Sequence, residues 1–152
     1  MAVDFADLLR EVTEFSSYDI RVGFQNDESS DEGLSIATIA AYNEFGTEDI
    51  PARPFLSTAL DEARKEIASR FEDEMGEILE GNRTAIQAAR RLGIFGATIV
   101  KKRIRDSQKW AEENADATID KKGSSKPLVD TGEMLGAVTW AVLKGGTVVE
   151  SG

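Results

Sequence analysis

A chain of 152 residues with 28 acidic against 18 basic side chains, a net charge of -10 and neither cysteine nor histidine is long enough for one domain whose core needs no metal or disulfide staple. The missing residues remove the thiol nucleophile, the thiolate metal site and the general base that works nearest pH 7, which argues against an enzyme and against a metal or other cofactor. The acidic balance argues against a broad grip on nucleic acid, because binding phosphates takes clustered Lys and Arg.

In chain order, residues 3–15 place Phe5, Leu8, Leu9, Val12 and Phe15 at helical spacing, with Asp4, Asp7, Glu11 and Glu14 mostly elsewhere on the wheel, so a short amphipathic helix is predicted. The opening MAVDFADLLREV has no basic n-region and no apolar h-region, so no signal peptide is expected. No apolar run approaches membrane-spanning length, and an aqueous, cytoplasm-like setting without membrane contact is predicted. Tyr18 to Phe24 alternates and reads as a half-buried strand. The stretch Gln25–Gly33 follows with four carboxylates and no base, which predicts a solvated loop. Its spacing does not fit an EF-hand, so Asp27, Glu28, Asp31 and Glu32 are not read as a calcium site. Leu34 to Phe45 reads as a helix of mostly small and apolar residues, including Ile36, Ile39, Ala40 and Phe45, whose low polarity suggests burial on most sides.

The stretch Ala41–Leu56, AYNEFGTEDIPARPFL, organises the chain. Gly46 stands where a helix needs a left-handed residue to stop, and Pro51 and Pro54 push Ile50 and Arg53 into extended backbone. The result is a stiff elbow between two helices. Held on such a backbone, the Arg53 guanidinium loses little entropy on pairing, which suggests a dedicated partner at an interface, with the fold indifferent to its removal. A plainer reading makes the stretch an interhelical turn in which Ile50 and Phe55 fill the core.

Beyond the elbow, Ser57 or Thr58 is predicted to cap a helix running to about Glu80, with Leu60, Ala63, Ile67, Phe71, Met75 and Ile78 inward. Glu62, Glu66, Asp73, Glu74 and Glu77 on that helix read as a solvated face rather than as catalytic carboxylates. A second helix to about Trp110 carries Ile86, Ala89, Leu92, Phe95, Ile99 and Ile104. Gly93 and Gly96 inside it each cost about 1 kcal/mol relative to alanine, so close approach of another backbone is expected there. The basic run Lys101–Arg105 reads as a solvated helix end suited to the macrodipole, or as a contact for DNA or an acidic neighbour. Residues 111–126 read as a long exposed connection, and Asp130 or Thr131 as the cap of a short helical turn. Ala137–Leu143 and Thr147–Glu150, joined by Lys144, Gly145 and Gly146, read as a hairpin across which Trp140 packs. The sum is an α+β fold: a small, mostly antiparallel sheet of three or four strands with two long helices and shorter ones on one face, whose terminal strand is an exposed edge predicted to find a partner.

Glu44 to Thr47 (EFGT) with Ile50 to Leu56 (IPARPFL), followed by Pro127, Leu128, Thr131 and Gly132 with Met134 and Leu135 in PLVDTGEML, resembles the paired motifs of tail-completion and neck proteins of long-tailed bacteriophages and related prophages. These include the virion-morphogenesis family of phage Mu and the neighbouring family of putative tail components. Met134 stands where leucine is usual, and the acidic loop at Gln25–Gly33 is peculiar to this chain. The resemblance implies a non-enzymatic virion protein that forms a ring, typically a hexamer, between capsid connector and tail tube. Such a ring closes the tail and lets DNA pass without sequence-specific binding. It also implies that Glu44, Phe45, Gly46, Ile50, Pro51, Arg53, Pro54, Phe55, Pro127, Leu128, Thr131 and Gly132 lie at contacts. The elbow, the sheet edge and the long connection are the expected contact surfaces. The alternative from charge alone is an acidic binding module that occupies a basic groove on a host protein, as a DNA mimic or inhibitor does.

Overall fold

The computed structural model describes residues 4–24, 35–106 and 133–152. Among them are helices α1 (Phe5–Ser16), α2 (Ile36–Phe45), α3 (Phe55–Glu62), α4 (Arg64–Leu79), α5 (Ala85–Arg105) and α6 (Glu133–Gly136), and strands β1 (Tyr18–Phe24), β2 (Val138–Lys144) and β3 (Thr147–Ser151). The strands form one antiparallel sheet in the order β1-β2-β3, and the fold is α+β. Contacts within the chain divide it into two compact units, one of Met1–Val22, Ala63–Ala97 and Trp140–Gly152, the other of Gly23–Glu62 and Thr98–Thr139.

In the first unit, Asp4 caps α1 by accepting from the Ala6 N–H. Helix α1 packs on α4, where Phe15 meets Phe71 at 6.1 Å between ring centroids. Phe5 and Leu9 stay outside, with Phe5 76% exposed, so the apolar stripe of α1 is only partly used. Thr84 and Gln87 start α5 with a reciprocal capping box: the Thr84 N–H donates to Gln87 Oε1 at 3.0 Å and the Gln87 N–H to Thr84 Oγ1 at 3.3 Å. The Glu11 carboxylate adds a cap from α1, accepting from the Ala85 N–H at 2.7 Å.

The buried face of α5 in this unit is Ala85, Ala88, Ala89, Leu92, Gly93, Gly96 and Ala97, at spacings of three and four. Of the residues the sequence points to, Ala89 and Leu92 lie on this face, whereas Ile86 and Phe95 are only half-buried. Small residues win because the sheet lies close. A Cβ added at Gly93 would stand 2.7 Å from the Trp140 ring, and one at Gly96 would stand 2.7 Å from a Val22 methyl. The expected neighbour of these glycines was backbone; the structure places side chains there.

Gly145 and Gly146 turn β2 into β3 with φ of 58° and 80°, the double positive φ that a tight two-residue hairpin needs. Trp140 and Gly152 exchange both backbone hydrogen bonds, and the indole lies over Gly152 as it does over Gly93. The sequence expectation of a tryptophan packed across the hairpin therefore holds. Glu74, expected in solvent, is buried in α4. Arg83 Nη1 donates to both of its oxygens, at 2.9 and 2.8 Å, and Arg91 Nε to one at 2.8 Å.

In the second unit, the core gathers Ile36 and Ala40 of α2, Arg53, Phe55 and Ala59 from the elbow and α3, Val100 and Ile104 of α5, and Met134, Ala137 and Val138. Phe24 meets the Phe55 ring edge-on at 5.8 Å. Helix α2 is buried on one side only, not on most, for Tyr42 and Phe45 are exposed. The helix expected from Ser57 through Glu80 starts instead at Phe55 and breaks at Ala63, a position that nothing in ALDEARKEI marks. The acidic loop at Gln25–Gly33, residues 111–126 and the caps expected at Asp130 or Thr131 lie outside the described residues.

Candidate functional site

The elbow is a closed set of local bonds. Ser35 caps α2 through the Thr38 N–H at 3.1 Å, and α2 runs until Gly46, whose N–H still donates to the Tyr42 carbonyl. Gly46 then takes φ 76° and ψ 169°. This is not the left-handed helical conformation expected from the sequence but the extended positive-φ region that only glycine occupies comfortably. A Cβ there would also stand 2.9 Å from the Ala52 nitrogen and 3.0 Å from the Ile50 oxygen. Both demands select glycine.

Past Gly46 the chain doubles back. The Thr47 N–H donates to the Ile50 carbonyl at 2.8 Å, while Thr47 Oγ1 accepts from the Ile50 N–H at 3.1 Å. The Arg53 N–H donates to the Asn43 carbonyl at 2.6 Å, which fastens the extended strip to the last turn of α2. The Phe55 N–H reaches the Arg53 carbonyl at 2.7 Å, a three-residue turn around Pro54 whose fixed φ suits it.

Glu44 completes the set. Its carboxylate accepts from the Leu56 N–H at 2.9 Å and the Ser57 N–H at 3.1 Å, and also from the Ser57 hydroxyl. A helix that opens directly after proline has no Ser, Thr or Asp of its own at the cap, so a carboxylate from the preceding helix satisfies its orphan donors and meets the positive end of its dipole. The predicted caps Ser57 and Thr58 are therefore corrected: Ser57 is a capped residue inside α3, and the cap is Glu44. The sequence signal for this role is the bare start PFLS, ten residues after a glutamate at a helix end.

These bonds sort the residues expected at contacts. Phe55 is fully buried and Arg53 is 8% exposed, so both belong to the core of their unit. The burial of Arg53 argues against the sequence expectation that its removal spares the fold. Glu44, Gly46 and Ile50 are half-buried and bonded within the elbow, whereas Pro51 and Pro54 are exposed. Phe45 is the outlier at 80% exposed, with Tyr42 exposed three residues earlier on the same helix face. Helical patterning alone buries α2 on most sides, whereas the resemblance puts Phe45 at a contact and gives Tyr42 no role. Pro127, Leu128, Thr131 and Gly132 lie outside the described residues, and Met134 of the same motif is buried.

The basic run at the end of α5 is not a uniform positive surface. Lys102 pairs with Asp106 at 2.7 Å, Arg103 donates to Glu62 at 3.3 Å, and Ile104 is fully buried. Among the described residues, no helix is long and apolar enough to cross a membrane. Comparison of the chain with protein-family models, with curated proteins and with solved structures finds no match.

Proposed function

We propose that the chain is a non-enzymatic structural subunit of a phage particle. It assembles head to tail into a ring at the junction of capsid connector and tail tube, closes the tail, and lets DNA through without reading its sequence. The observation that carries the reading is Phe45, an aromatic side chain 80% exposed between two residues, Glu44 and Gly46, whose positions are fixed by the elbow. Exposed aromatics on a rigid base are what protein contacts use as anchors, because little entropy is lost when they dock. Tyr42 extends the apolar patch along α2, and Pro51 and Pro54 border the same bonded elbow. The paired motifs that contain these residues support the choice of particle and of ring. A chain of net charge -10 is also suited to a passage that must not hold DNA.

The test is light scattering on the purified chain over a range of concentrations, with negative-stain microscopy of the oligomer and a complementation assay for head-tail joining. Rings that Phe45→Ala disperses while its melting curve stays unchanged are expected. A chain that remains monomeric at every concentration, together with particles that join head to tail without it, overturns the proposal. Recovery of a one-to-one complex with a basic DNA-binding host protein, and no ring, would identify an acidic mimic instead.

A further inference from the structure

We infer that the elbow patch of one copy receives the basic end of α5 of the next: Tyr42 and Phe45, with Glu48 and Asp49 beside them in sequence, dock Lys101 and Arg105 of a second copy. The inference rests on the ring reading and names the contact that repeats around it. From Val22 to Ala52 the sequence has neither lysine nor arginine. Where α2 ends, two exposed aromatic rings are followed by two exposed carboxylates, and no cation in the last helical turn offsets the negative end of the dipole. Among the described residues, neither Glu48 nor Asp49 has an ion-pair partner. An aromatic ring next to a carboxylate suits a guanidinium or an ammonium, which covers the ring face while it pairs with the acid.

The run Lys101–Arg105 is the densest basic stretch of the chain, and half of its charge is already spent. Lys102 is held by Asp106 and Arg103 by Glu62. Lys101 and Arg105, four residues apart and so on one face of α5, have no ion-pair partner among the described residues. Arg105 is exposed and Lys101 half-buried. The two cations and the two carboxylates thus do not satisfy one another within a copy, and both sets lie open to another molecule.

Charge complementarity makes a second copy the occupant. Chains of net charge -10 repel one another unless a contact sets basic groups on acidic ones, and this basic run and this base-free elbow are a matched pair in one sequence. Two elbow patches cannot face each other, because Glu48 and Asp49 would then oppose the same carboxylates of the other copy. The contact is therefore heterologous, patch to helix end. Each copy keeps one of each surface unused, which lets the contact repeat and close.

The test is a charge swap on the full chain, read by sedimentation velocity. One variant carries Glu48→Lys with Asp49→Lys, the other Lys101→Glu with Arg105→Glu; none of the four positions is buried, and melting curves check each fold. Each variant alone should associate about tenfold or more weakly than the unmodified chain. An equimolar mixture should recover association, because each reversed surface then meets its reversed counterpart and each native surface a native one. Arg105→Gln, which removes a charge without reversing it, should weaken association in the same direction. A mixture that fails to recover, or an Arg105→Gln chain that associates as the unmodified one does, overturns the inference. Rings that persist in both variants overturn it while the ring reading stands, whereas an unmodified chain that never associates overturns both. Weaker retention of duplex DNA by Lys101→Glu with Arg105→Glu, with assembly unchanged, would assign the basic run to DNA and also overturns it.

Discussion

The elbow and the α5 face that carries Gly93 are both glycine-dependent, yet they use the residue for opposite reasons. At Gly46 the backbone itself is unusual, with a φ of 76°, and polar bonds from Asn43, Thr47 and Glu44 hold the shape. At Gly93 the backbone is an ordinary helix, and what matters is the space filled by the Trp140 ring. One region is built by hydrogen bonds between residues close in sequence. The other is built by shape complementarity between residues far apart in sequence. Substitutions that act on bonds, on volume or on charge should therefore separate the two.

The largest effect is expected where the elbow does depend on packing. Phe55→Ala removes a fully buried ring and its edge-on contact with Phe24, and should cost about 3–5 kcal/mol in chemical denaturation. Gly93→Ala comes next. In an open helix it would be stabilising, but the Cβ at 2.7 Å from Trp140 forces the indole or the helix to shift, at about 1–3 kcal/mol. Loss of the cap in Glu44→Ala leaves two N-terminal donors of α3 to water and should cost about 1 kcal/mol, with the near-ultraviolet signal of Trp140 unchanged. Gly76→Ala sharpens the contrast from the other side: it lies inside α4 with nothing within 4 Å of the added carbon, so a gain of about 0.5–1 kcal/mol is expected.

The smallest effect is electrostatic and belongs to the α1–β2 pair. Lys144 Nζ donates to both oxygens of Glu14 at 2.8 Å, and this bond holds the Glu14 carboxyl below its ordinary range. A carboxyl whose pKa is lower folded than unfolded stabilises the fold above the unfolded value and ceases to do so as pH falls through the folded one. Lys144→Met should thus melt slightly lower than the unmodified chain at pH 7, with the difference shrinking as pH falls below the ordinary carboxylate range and vanishing once the lowered folded value is passed. A difference that persists in acid would assign the loss to packing of the lysine stem.

Local signals in the sequence were enough for several elements. The alternation of Tyr18–Phe24, the Gly145–Gly146 turn and the stop at Gly46 all follow from periodicity or from backbone preference, which act over a few residues. The same logic failed where a distant group decides. Glu44 reads as a contact residue until α3 returns to it, and α2 reads as buried on most sides until it is seen to bury only one. Arg53 reads as an interface residue, yet its side chain is buried in its own unit.

The amino-acid order by itself determined the turns at Gly46 and at Gly145–Gly146, the strand character of Tyr18–Phe24, and that this sequence offers no cysteine or histidine side chain, because composition and steric limits on φ need no third dimension. Only the tertiary structure decided which face of α5 is buried, which carboxylate caps α3 and which apolar side chains remain outside. Those outcomes depend on what arrives from elsewhere in the chain, and a side chain's burial is a property of its neighbours rather than of its own hydrophobicity.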